Sequence, residues 1–101
     1  MNPRTLDALE EEKQRLFRRV RKTVATKYEG MKDSVKEDIL DESYYYLKQV
    51  IHRMTDGEKD DPNFENSVDY QLVNALEYHF TEWFEENFNE VRVNELNNKA
   101  R

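Results

Sequence analysis

The chain contains no cysteine, which excludes disulfide staples, thiol catalysis and thiolate metal sites. Two glycines and two prolines are too few for a turn-rich β fold or a glycine-rich phosphate loop. No apolar run approaches the ~20 residues needed to cross a bilayer as a helix. The opening MNPRTLDALEEE has no apolar stretch of the kind that directs secretion, so a cytoplasmic protein is expected. Histidine is scarce as well. His52 and His79 fall on different segments, and neither forms the Glu-x-x-His pair of a di-iron bundle.

What is present is charge and aromatic bulk. The 101 residues suit one domain, with 38% charged and 37% apolar side chains. Leu, Ile, Val and Phe number 23, just above the composition of disordered chains, and six Tyr, five Phe and one Trp add packing volume. A folded domain with a lean core follows. The net charge of −6 is unevenly spread. Residues 1–36 carry ten Lys/Arg against six Asp/Glu, whereas residues 37–101 carry six against sixteen. The two halves can attract each other within one fold or serve different partners. The acidic half argues against direct nucleic-acid binding, because it repels phosphates.

Hydrophobic spacing predicts an all-α, single-domain bundle of three principal helices, over about 3–29, 34–54 and 67–88, with an acidic linker at 55–66 and a frayed or short helical tail. In the first helix Asn2 is a good N-cap, Pro3 suits the first position and Gly30 offers a left-handed stop. Leu6, Leu9, Leu16, Phe17, Val20, Val24 and Tyr28 share one face. Lys13 falls on that stripe, and its stem is expected to carry the ammonium outward. The second helix opens on Ser34-Val35-Lys36-Glu37, a capping-box pattern, and Thr55-Asp56-Gly57 should end it. Ile39, Leu40, Ser43, Leu47, Val50, Ile51 and Met54 face inward. Three consecutive tyrosines cannot all be buried on a helix, so Tyr45 should stand in solvent or in an interface. Asp61-Pro62 or Asn66-Ser67 could cap the third helix, whose inner stripe is Val68, Leu72, Ala75, Leu76, His79, Phe80 and Trp83.

Few side chains point to chemistry. His79, on an apolar stripe, reads as a core histidine and His52 as a surface one. Carboxylate pairs such as Asp38/Asp41 and Glu82/Glu86 read as solvated faces before they read as acid–base pairs. Residues 56–61 lack the ligand alternation of a calcium loop. The cations Arg15, Arg18, Arg19 and Lys22 form a basic face that suits nucleic acid or an acidic partner, but neutralisation by the acidic third helix is the plainer reading. Tyr70, Phe84 and Phe88 make a second apolar strip that three helices would leave uncovered, and uncovered aromatic area can seat a second copy. No catalytic, cofactor-binding or metal-ligating residue is expected.

The stretch KEDILDESYYYLKQVI at 36–51 resembles the second conserved region of bacterial and phage sigma factors. That region has an Asp-apolar-apolar-Gln-Glu core followed by an aromatic, Leu and further apolar residues. Glu37, Asp38, Ile39, Leu40, Glu42, Tyr44, Leu47 and Ile51 fit, while Asp41 stands where Gln is usual. A basic amphipathic helix ending in Lys27-Tyr28 precedes it, so the resemblance spans residues 16–54. It implies that the outer face of the second helix, Asp38, Asp41, Glu42, Tyr45 and Gln49, docks on the clamp helices of the RNA polymerase largest subunit. The family's following helix is basic and melts promoter DNA. Here the matching segment is acidic, so promoter reading is not implied.

These observations lead to an expected non-enzymatic helical interaction protein, a reduced sigma-like regulator of polymerase. Two alternatives stay open: an acidic mimic of nucleic acid that inhibits a DNA- or RNA-binding partner, and a homodimeric adaptor joined through Tyr70, Phe84 and Phe88.

Overall fold

A computed structural model describes residues 3–58 and 69–100. They form four α-helices: α1 (Pro3–Thr26), α2 (Asp33–Glu58), α3 (Asp69–Asn87) and α4 (Glu90–Lys99). There is no strand among the described residues. Asn2, the proposed caps of α3, Val68 and residues 59–66 of the expected linker lie outside the described residues.

Pro3 opens α1 as its fixed φ allows. Leu9, Leu16, Val20 and Val24 are buried along the inner face, with Phe17 packed beside them and Leu6 at the exposed margin. Lys13 is buried in its stem, and its ammonium emerges to Glu10 at 2.8 Å, 5.1 Å from the Tyr44 ring centre. α1 ends three residues earlier than expected, and no described glycine has positive φ, so Gly30 is not a left-handed stop. The last turn instead widens, with Lys27 and Tyr28 both donating to the Thr23 carbonyl at 2.8 and 3.2 Å. Tyr28 is then pinned by its own burial, and its hydroxyl donates to the Phe88 carbonyl at 2.6 Å.

The turn 27–32 is short, so α1 and α2 run antiparallel. α2 starts at Asp33, one residue before the expected cap, and Ser34 lies inside the first turn. The Val35 and Lys36 amides donate to the Lys32 carbonyl, and the Lys32 amide donates to Asn97 Oδ1 at 2.8 Å. α2 also runs past its expected end, carrying Thr55–Glu58 in helix. The Thr55 hydroxyl is buried and donates to the His52 carbonyl at 3.1 Å, so the expected linker loses its first four residues to α2.

α3 lies parallel to α1. Arg15 pairs with Glu77, Arg19 Nη2 donates to Thr81 Oγ1 at 2.8 Å, and Tyr28 reaches Phe88, a register that advances together along both helices. The basic face of α1 therefore turns partly onto the acidic helix, as its plainer reading expected. α2 and α3 are consequently antiparallel, and Tyr46 stacks on Trp83 at 4.3 Å between ring centres with planes 6° apart.

The tail is a helix rather than a frayed end. Asn89 Oδ1 accepts from the Arg92 amide at 2.9 Å, and Val93 is fully buried. α4 lies over the α1–α2 turn, with Glu90 3.6 Å from Lys27 and with Asn97 and the Ala100 carbonyl on Lys32. The packing at the end of α3 changes the reading of the aromatic strip. Phe88 is 2% exposed and Phe84 is half-buried against the core, both in contact with Trp83 or each other. Of the expected Tyr70/Phe84/Phe88 seam for a second copy, Phe88 is therefore not available at the surface and Phe84 is so only in part, while the Tyr70 side chain lies outside the described residues. The molecule is elongated, 49 × 20 × 17 Å.

Candidate protein-binding face

The outer face of α2 comes from helical geometry alone. Ile39, Ser43, Leu47 and Val50 point to the core, so residues offset by half a turn point away. Tyr45 is 63% exposed, and Asp38, Asp41 and Glu42 around it are exposed too. None of these carboxylates makes a hydrogen bond or ion pair to another described residue. Gln49, two turns along from Glu42 on the α3 side, is half-buried. The five residues expected to form one face do so.

Tyr44 and Tyr46 flank this face with different partners. Tyr44 meets Phe17 edge-on at 5.3 Å and takes the Lys13 and Lys48 ammonium groups over its ring. Tyr46 leans the other way and stacks on Trp83, which itself touches Phe80 and Phe88. Consecutive tyrosines thus tie α2 to α1, to solvent and to α3 in turn. Between α2 and α3 this leaves an open groove lined by Glu42, Tyr45, Tyr46, Gln49, Arg53 and Trp83. Sequence reasoning placed Trp83 in the core and gave Arg53 no role. Only the register that stacks Trp83 on Tyr46 brings them to the edge of the exposed face.

The other singled-out residues go elsewhere. His79 is exposed, not a core histidine, and its ring meets Tyr78 edge-on at 5.6 Å. Its position is at the α2-facing margin of the α3 stripe, where α2 does not cover it. His52 is exposed, as expected. Among the described residues no three His, Asp or Glu side chains gather as metal ligands would, and no helix is long and apolar enough to cross a membrane.

Protonation follows burial and pairing. Burial is the largest influence on the Tyr28 phenol and raises its pKa; Glu90 and Glu85 add to this while Lys27 opposes it. The phenol stays protonated and can donate to the Phe88 carbonyl. Burial is the largest single influence on Lys13 and would lower its pKa, but the hydrogen bond and charge of Glu10 together with Tyr44 outweigh it and the pKa rises. Arg15 is held charged chiefly by its hydrogen bond to Glu12.

No protein-family model, curated protein or solved structure matches the chain.

Proposed function

We propose that the chain is a non-enzymatic helical interaction protein that grips a protein partner with the outer face of α2, and that this partner is the largest subunit of RNA polymerase. The observation that carries the reading is Tyr45, a large ring standing 63% exposed at mid-helix amid three exposed carboxylates that pair with no described residue. Tyrosine in such a place suits an interface, since it buries area while its hydroxyl keeps a hydrogen bond. The resemblance of residues 36–51 to the second conserved region of sigma factors supplies the partner, because in that family the same helix face docks on polymerase. Exposed Glu82, Glu85 and Glu86 on α3 would repel DNA phosphates. The protein is accordingly a sigma-like regulator that holds polymerase without normal promoter reading.

Affinity capture from a bacterial lysate tests this. The tagged chain should recover the polymerase largest subunit, and Tyr45→Ala combined with Asp41→Arg should abolish recovery while leaving the helical circular dichroism unchanged. Absence of polymerase with the unaltered chain removes the proposed partner.

A further inference from the structure

The groove beside Tyr45 has a polarity. Its wall is the Tyr46–Trp83 stack, half-buried and open on one side. One turn toward the start of α2 from Tyr46 is Glu42, and one turn onward along α3 from Trp83 is Glu86. Because the two helices are antiparallel, both carboxylates fall at the same end of the stack. Both are exposed, and neither pairs with another described residue. At the other end the groove continues past Val50 and Met54 to Arg53 and the His79 imidazole.

Aromatic faces and unneutralised carboxylates attract the same ligand. The ring quadrupole and the carboxylate charge both favour a cation. A guanidinium answers both at once, lying flat on a ring while it donates two parallel N–H groups to a carboxylate; an ammonium has no plane to stack. The chain's own Arg53 does not take this place. No cation–ring contact joins it to Tyr45, Tyr46 or Trp83, and it lies about 16 Å along the helix axis from Glu42.

We propose that the Glu42 end of this groove receives an arginine side chain of the protein partner, its guanidinium laid against Tyr45 and the Tyr46–Trp83 stack and paired with Glu42. The inference rests on α2 being a partner-binding face and names the chemistry the partner brings to it. Arg53 at the far end repels a second cation and so sets the direction in which a basic segment lies.

Trp83 is the chain's only tryptophan, so its fluorescence reports on the groove directly. The full chain is titrated with a tri-arginine peptide and, separately, with a tri-lysine peptide. Tri-arginine should change the Trp83 emission saturably, and Glu42→Gln, a surface change that leaves the fold intact, should weaken it about tenfold. Tri-lysine should bind several-fold more weakly. An unchanged emission overturns the proposal, and so does equal binding of both peptides that Glu42→Gln does not alter, since that reports only attraction to the net negative charge. The outcome is separable from that of partner capture. If capture needs Tyr45 and Asp41 but is indifferent to Glu42→Gln, the α2 face stands and the arginine site falls. If tri-arginine binds as described but polymerase is not recovered, the arginine site stands with another protein as its source.

Discussion

Ser43 is fully buried on the inner face of α2, and its hydroxyl has no hydrogen-bond partner among the described residues. An orphaned buried hydroxyl costs the folded state its desolvation without return. Ser43→Ala removes that cost, keeps the small volume that lets the helices approach, and improves helix propensity. Its unfolding free energy in denaturant should rise by about 1 kcal/mol. Ser43→Val should lower it, because an overfilled site forces neighbours off their rotamers, typically by about 1–3 kcal/mol. If alanine destabilises the fold, the hydroxyl has a partner such as a water. At this scale the sequence was legible where geometry was absolute. Three tyrosines in a row must diverge, and Tyr45 is the most exposed of them, at 63% against 36% for Tyr44. It misled where position within a stripe mattered. His79 lies at a margin that only the crossing of α2 and α3 could define, and periodicity does not contain that crossing.

The elements were legible through their apolar stripes, and their ends were not. α2 runs through Gly57 because Thr55 is buried and holds the last turns, so tertiary packing overrides a helix-stopping pattern. α4 was legible only as one of two readings, a frayed or a short helical tail, because its buried side chain is Val93 in an Asn-rich stretch. Its signals were nevertheless present, with Asn89 as cap and Glu90 in the first turn. Asn89 also ends the preceding helix, since its Nδ2 donates to the Glu85 carbonyl at 2.9 Å while Oδ1 accepts from Arg92. One side chain therefore closes α3 and opens α4. Asn89→Ala should cost about 1 kcal/mol, the usual loss for a missing cap. The loss should be local: amide exchange across residues 93–99 should accelerate more than across the middle of α1, because α4 is held by few buried contacts. Uniform acceleration along the chain would instead mean that α4 unfolds only together with the bundle.

For the whole molecule, the uneven charge distribution is partly consumed in holding α1 beside α3. Parallel neighbours in a bundle gain nothing from a tight turn between them, so side-chain complementarity must help to set their register. The clearest instance is Arg15, which lies between Glu12 on its own helix and Glu77 on α3. Arg15 and Glu77 remain nearly half exposed, at 46% and 43% of their side chains, so solvent screens the pair and its contribution is about 0.2–1 kcal/mol. Reversal is more telling than removal, because Arg15→Glu would set three carboxylates together. That variant should lose about 1 kcal/mol or more in denaturant unfolding at low salt. Adding Glu77→Arg should restore part of the loss, giving a favourable coupling in the double-mutant cycle. The coupling should shrink in 1 M salt, where the Debye length falls to about 3 Å. Additive effects of the two substitutions at low salt would show that α1 and α3 keep their register through the buried Val20, Tyr28, Phe80 and Phe88 alone, and that the charge asymmetry is turned wholly outward, toward a partner.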